Sequence, residues 1–271
     1  MSSRLDLTRL QRELSSVRYG RSLRYLESTG STNDDARDVL AQGAANGHTL
    51  VADAQSAGRG SRGRHWESPG GTDLYVSIVD RLPLSLAELP PLTLAVGLAV
   101  AETVDALLTE SGVPASQVKW PNDVLLGGKK CAGVLVEASS GLPGGDAVVI
   151  GIGLNVNRTA FEPEIAPLAS SLRLMHPEQA LLDRTHALGV LLTRVEARVD
   201  EFTTQGAAAV VRALEPRLAL RGSRVRVEGL EGLIRGVAPS GALLLETDYG
   251  LRQVIAGRPE PVDGHAGDRA L

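Results

Sequence analysis

A chain of 271 residues that is 43% hydrophobic can build one large domain, or one large and one small. No apolar run approaches the roughly 20 residues of a membrane span, and the polar start Met1-Ser2-Ser3-Arg4 lacks a secretory core. A net charge of -4 and 3% aromatic content argue against a nucleic-acid coat, and a single cysteine, Cys131, excludes an internal disulfide or a multi-cysteine zinc site. These features describe a cytoplasmic protein that binds neither DNA nor membranes.

Leu5, Leu7, Leu10 and Leu14 recur at helical spacing and predict a short amphipathic helix. A strand is expected over 23–26. Residues 29–35 then supply a turn and a helix start, with Ser31 or Thr32 as N-cap and Asp34 and Asp35 in the first turn. That helix should stop near Gly43. A strand over 49–52 enters an Arg/Gly-rich segment, and another over 74–79 leaves it. Residues 92–108, preceded by Pro90-Pro91, predict a mostly buried helix.

A short strand over 117–120 is cut off by Pro121. Longer strands over 131–137 and 147–157 flank a Gly/Pro-rich turn at 141–145, the pattern of an antiparallel hairpin. Helical periodicity returns over about 178–202 and 207–214. Beyond Pro216, short strands over 224–228, 233–237, 242–246 and 253–255 alternate with glycine-containing turns, which fits a small closed SH3-like barrel. A boundary near Leu220 divides the chain into a catalytic domain, 1–219, and a small domain, 220–271, with a frayed tail from Asp263.

Four segments carry chemistry. Gln55 to Trp66 interleaves Gly58, Gly60 and Gly63 with Arg59, Arg62 and Arg64, and only Ala57 is aliphatic. Such a segment cannot bury a face, so it reads as a mobile loop whose amides and guanidiniums suit phosphate or carboxylate. A plain solvated loop is the competing reading. Lys119-Trp120-Pro121-Asn122-Asp123 is an ordinary turn by composition, or else a place where Asn122 and Asp123 orient a phosphate or its Mg²⁺. Lys129-Lys130-Cys131-Ala132-Gly133 opens a strand, and Lys130 could supply a compact cation at a reacting carboxylate. Gly133, Gly151 and Gly153 let a ligand lie against strand backbone. There is no Walker A sequence, no G-x-S-x-G and no H-E-x-x-H.

In order and spacing these segments resemble the biotin protein ligases. The matching residues are Ser31-Thr32-Asn33, Gly58 to Trp66, Lys119 to Asp123, Lys130 to Glu137 and Gly151 to Asn155. The resemblance implies an α+β fold, a mixed and mainly antiparallel sheet flanked by helices as in class II synthetases, followed by the SH3-like barrel. It implies that ATP and Mg²⁺ activate biotin to biotinyl-5′-AMP, and that biotin then passes to a lysine of a biotin carboxyl carrier protein. Family members are monomers or dimers paired through the sheet, so a homodimer is within the expectation.

By match, Ser31, Thr32, Asn33 and Gln55 would bond biotin's ureido ring, Gly58, Arg59 and Gly60 would close over it, and Gly133 and Leu135 would line its tail pocket. Ser61, Arg62, Arg64, Trp66, Asn122 and Asn155 would serve the nucleotide, and Lys130 would bridge carboxylate and α-phosphate. Arg59, Arg62, Arg64 and Lys130 form the cationic catalytic set; Asp123 would serve the metal or activate the incoming lysine.

Two departures stand out. Ser61 replaces the family's second loop arginine, which predicts weaker retention of the adenylate, and only Met1 to Ser22 precede the first strand, which predicts a monofunctional ligase without a winged helix. A lipoate or octanoate ligase on the same scaffold and a non-enzymatic nucleic-acid binder are the alternatives.

Overall fold

The computed structural model describes residues 4–82, 90–109, 112–140 and 145–262. Residues 141–144 of the expected turn at 141–145, and the expected fraying from Asp263, lie outside these residues. In chain order the elements are α1 (Leu7–Glu13), β1 (Leu23–Thr29), α2 (Thr32–Ala41), β2 (Thr49–Gln55), β3 (Leu74–Asp80), α3 (Leu92–Leu107), β4 (Gln117–Lys119), β5 (Asp123–Leu126), β6 (Lys129–Ser139), β7 (Ala147–Leu154), α4 (Leu172–Met175), α5 (Arg184–Gln205) and α6 (Ala207–Leu214). After them come β8 (Arg224–Val227), β9 (Leu230–Val237), β10 (Leu243–Thr247), β11 (Gly250–Val254) and β12 (Glu260–Pro261).

The first seven strands form one sheet in the order β1-β2-β3-β7-β6-β5-β4. Only β1 and β2 run parallel; every other neighbour is antiparallel. Side chains alternate across it with period two. Val76, Ile78, Ile150, Ile152 and Val134 join the main core, where α3 contributes Val96, Ala99 and Val100 and α5 contributes Leu188, Leu192 and Val195. Because α3 lies in that core, it is apolar nearly all round, with Leu94, Val96, Leu98 and Val100 all buried.

On the opposite face Val79 and Val149 join a smaller cluster with Leu50, Ala147 and, from α2, Ala36 and Leu40. The helix covers one end of that face and leaves the glycine-bearing stretch of β6 and β7 open. The site lies there.

Three differences from the sequence reading have local causes. Helix α5 starts at Arg184 rather than near 178, because the Asp183 side chain accepts from the amides of Thr185 and His186 and caps it there. The Asn-Asp turn is followed at once by an unexpected strand, β5, so the chain folds back through a cis Trp120–Pro121 bond and Asp123 pairs with both Lys119 and Gly133. The C-terminal strands form an antiparallel sheet in the order β11-β10-β9-β8-β12, and among the described residues no ladder closes it into a barrel. Strand β12 is two residues long and ends in Pro261, which has no amide to donate. The second sheet packs against the first through Trp120, whose indole N–H donates to the Gly241 carbonyl at 2.9 Å.

Candidate active site

The open face forms a cleft of about 450 Å³. Its floor is glycine. A Cβ at Gly153 would overlap the Trp66 indole, and one at Gly133 would stand 3.1 Å from the same ring. Trp66 therefore lies against the backbones of β6 and β7, closest at Gly153, where a side chain would not fit without moving the ring. Gly151 serves Asn33 in the same way, since a Cβ there would overlap the Asn33 amide.

Parity alone would not place Lys130 in this cleft. Gly133, Leu135 and Glu137 face it by regular alternation, so an even-numbered lysine should point to the core. The register shifts between Val124 (opposite Ala132) and Leu125 (opposite Lys130), leaving Cys131 as the extra residue of a bulge. That bulge turns Lys130 over. Its Nζ then lies 2.6 Å from Asp123 Oδ1 and 5.0 Å from the Trp66 ring centroid. Residues 168–170 hold the bulge from outside: Lys130 N donates to Leu168 O (2.8 Å), and Ser170 N donates to Lys130 O (2.9 Å). Cys131 is fully buried and its thiol is pushed up to about 12 by burial, so it packs rather than reacts.

A polar cluster closes one end. Gln55 Oε1 accepts from Thr32 N (2.9 Å) and Thr32 Oγ1 (3.1 Å), and Gln55 Nε2 donates to Ser68 Oγ (2.9 Å). The Ser77 hydroxyl donates to Asn33 Oδ1 (2.6 Å), and Asn33 Nδ2 donates to Glu137 Oε2 (2.8 Å). Ser31 occupies the N-cap position of α2, but its hydroxyl makes no capping bond.

The Arg/Gly segment folds as a narrow hairpin rather than an open loop. Trp66 N donates to Gly58 O (2.8 Å), Gly60 N donates to Arg64 O (2.7 Å), and Arg59 bridges His65. Gly60, Ser61, Arg64 and Trp66 face the cleft, as does Arg59, which is held by Glu137 (2.7 Å) and Asp34 (3.1 Å). Arg64 folds back so that its Nη2 donates to Ser61 Oγ at 3.1 Å.

Two expected residues lie elsewhere. Gly58 sits beneath the hairpin, where a Cβ would collide with the Trp66 carbonyl, so its role is close packing. Arg62 turns away from the cleft and donates to Glu228 of the C-terminal sheet at 3.1 Å.

The opposite end holds Asn122, Asp123 and Asn155. Asn122 is fixed to β6 by its side chain and its backbone, both bonded to Val134. Asn155 Nδ2 donates to Ser170 O (2.9 Å), whereas its Oδ1 and the Trp66 indole N–H are buried in the cleft wall without partners. An unmatched acceptor and donor facing one cavity are a feature that a ligand would satisfy. Among the described residues no group of three His, Cys, Asp or Glu gathers as a metal cage, and the Asp123 carboxylate is already engaged by Lys130.

Sequence reasoning missed a further wall. Phe161, Ile165 and Leu168 line the cleft, and Arg158 lies 4.7 Å over the Phe161 ring while pairing with Glu67 at 2.8 Å. The i, i+4, i+7 spacing of Phe161, Ile165 and Leu168 was the available signal. Lys119 and Arg258, the latter from beyond the second sheet's main strands, also reach the cleft. Burial holds the Lys119 ammonium below its ordinary range, and the nearby Arg258 charge adds to the effect.

A glycine-floored cleft on a mainly antiparallel sheet, walled by an Arg/Gly hairpin and followed by a small all-β unit, defines the scaffold of the acyl-adenylating protein ligases. Residues 25–157 match the model of the biotin/lipoate A/B protein ligase family, and residues 222–258 match the biotin protein ligase C terminal domain. The biotin–[acetyl-CoA-carboxylase] ligase of Mycobacterium tuberculosis is 36% identical over 253 residues, covering 89% of each chain. The bifunctional ligase/repressor BirA of Bacillus spizizenii is 32% identical over 88% of this chain and 73% of its own. The biotin protein ligase from Aquifex aeolicus, solved in complex with biotin and ATP, superimposes with a TM-score of 0.76 at 30% identity over 89% of this chain and 98% of that one. The chain belongs to the biotin protein ligase family.

Proposed function

We propose that this cleft holds biotin and MgATP together, forms biotinyl-5′-AMP, and passes the biotinyl group to a lysine of a biotin carboxyl carrier domain in the cytoplasm. In the first step a biotin carboxylate oxygen bonds to the α-phosphorus and pyrophosphate leaves. In the second, a lysine amine attacks the mixed anhydride, an amide forms, and AMP leaves. Neither step requires an enzyme nucleophile. The first requires two anions side by side, and at 4 Å with an effective dielectric of 20 that repulsion is about 4 kcal/mol. A cation between them removes it.

The observation that carries this reading is the bulge-directed Lys130, poised in the cleft against Asp123 and Trp66. Lys130 would bridge carboxylate and α-phosphate. Thr32, Asn33 and Gln55 present a preorganised polar set for the ureido ring, and Gly133 and Leu135 accommodate the tail. Asn122, Arg64, Trp66 and Asn155 face the nucleotide. Asp123 would supply one of the one or two protein carboxylates that a phosphate-borne Mg²⁺ takes, or would accept the proton from the incoming lysine. Residues 1–219 would form the catalytic domain and 220–271 the small one.

The test is incubation with biotin, MgATP and a carrier domain, read by streptavidin blotting, with pyrophosphate release measured separately. Wild type should label the carrier, lipoate should not substitute for biotin, and Lys130→Ala should release at least ~100-fold less pyrophosphate while keeping its fold, the scale of one lost charge-stabilising group. Wild-type release from Lys130→Ala would reject the assignment.

A further inference from the structure

Arg62 occupies the tip of the Arg/Gly hairpin with left-handed backbone (φ 60°, ψ 36°), and Gly63 follows at φ 70°. Arg64 N donates to Ser61 O at 3.4 Å, so Ser61 to Arg64 is a turn whose two central residues both have positive φ. Glycine adopts that geometry freely. For arginine it is disfavoured, because Cβ crowds the neighbouring carbonyl, so a contact must hold it.

The contact comes from a second turn of the same kind. Between β8 and β9, Glu228 (φ 48°) and Gly229 (φ 78°) are both left-handed, and Glu228 Oε1 accepts from Arg62 Nη2 at 3.1 Å. Two turn tips therefore meet, each presenting its first central residue to the other. Glu228 is supported from behind: a Cβ on Gly257 would stand 3.0 Å from Glu228 Cγ, so the chain leading to Arg258 packs directly against this turn.

We propose that the Arg62–Glu228 pair is a tether through which the C-terminal sheet positions the hairpin over the cleft, making both residues positioning residues for retention of the acyl-adenylate. The ligand in this statement rests on the function proposed above; the contact does not. At its base the hairpin is fixed by Arg59 to Glu137 and Asp34. The ion pair holds its tip, where Ser61 and Arg64 face the cleft. With side chains 47% and 55% exposed, the pair is a surface ion pair, strong enough to bias the tip and weak enough to open. Arg62 is thereby removed from phosphate binding and assigned to the domain contact.

Two readouts separate the tether from the reaction. Limited trypsin digestion of the ligand-free protein, with the products assigned by mass spectrometry, reports cleavage after Arg59 and Arg64, the hairpin arginines that every variant keeps. Cleavage should rise roughly two- to fivefold in Glu228→Gln and more in Glu228→Lys, the range of an exposed ion pair. Release of preformed biotinyl-AMP after gel filtration should accelerate by the same factor, and the exchanged pair Arg62→Glu with Glu228→Arg should return both rates toward wild type. Unchanged cleavage and release in Glu228→Gln, or no rescue in the exchanged pair, would overturn the tether. If the wild-type protein formed no adenylate, the proposed function would fall, and digestion alone would still decide the tether.

Discussion

Gly153→Ala tests the floor of the cleft. The added methyl would lie 2.8 Å from Trp66 Cζ2 and still nearer Cε2, well inside contact distance, so the indole must lift or tilt. The Trp66 backbone cannot follow, because its N–H is bonded to Gly58 O at 2.8 Å and its carbonyl accepts from Ser68 Oγ at 2.8 Å. Overpacking of this kind costs about 1–3 kcal/mol. At about 2–4 °C per kcal/mol for a domain of this size, Tm should fall by roughly 2–12 °C. If the ring instead swings out, stability is spared, but Lys130 loses the aromatic face 5.0 Å away and with it the orientation proposed for meeting biotin's carboxylate. Calorimetry, biotin titration and tryptophan emission distinguish the two results. Emission is informative because the only other tryptophan, Trp120, is buried and bonded to Gly241. Gly30→Ala is the control, since nothing lies within 4 Å of the site of its Cβ. Wild-type Tm, emission and biotin affinity in Gly153→Ala would refute the stacked floor.

Ser61→Arg should slow release of biotinyl-AMP by about tenfold, the scale of one charge-assisted hydrogen bond. The reason is that Arg62 cannot fill the missing charge while it faces Glu228, and Arg64 is bonded to Ser61 itself; equal release rates from both proteins would contradict this. A spectrophotometric pH titration should show Tyr19 and Tyr75 protonated past the ordinary phenol range. Burial raises both, with Asp80 adding to Tyr19 and Asp73 to Tyr75. The native state favours the neutral phenol, so stability is fully present below about pH 10 and is lost as pH rises beyond it. Phenolate absorbance from these two should therefore appear together with loss of circular dichroism, and gradual ionisation of all four tyrosines in the folded protein would refute the assignment.

The elements that the sequence made legible are those whose pattern is long. Helix α3 follows from its continuous Leu/Ala/Val content, and β3 and β7 follow from apolar runs bounded by turn residues. The short β5 and two-residue β12 carry too few residues to show a period. In the site, the glycines at 133, 151 and 153 announced close approach but not what approaches. The partners are the protein's own Trp66 and Asn33, which shape the surface that a ligand would meet. Lys130 was legible as a residue and not as a direction, since its orientation depends on a bulge at Cys131 that nothing in Lys-Lys-Cys-Ala-Gly marks. Arg62 and Arg64 are indistinguishable in the motif. Left-handed backbone and a partner 166 residues away separate them.

Apart from Arg64, which is bonded to Ser61, the cations around the cleft fall into two groups, and the division bears on how an anion would bind. Lys130, Arg59 and Arg158 are paired with Asp123, Glu137 and Glu67, so an incoming anion there must compete with a carboxylate already in place. Such exchange keeps the charge of the empty cleft low and makes net affinity smaller than the contacts alone suggest. Lys119 and Arg258 differ: among the described residues neither has an ion-pair partner within 4 Å, and the Lys119 ammonium is disfavoured first by burial and then by the Arg258 charge beside it. An anion beside them displaces nothing and relieves a repulsion that the folded protein already carries. In the proposed reaction the departing pyrophosphate is the most highly charged species, so this end of the cleft is where it gains most. Biotin's carboxylate, with a single charge, suits Lys130, which need only turn from Asp123 toward the substrate.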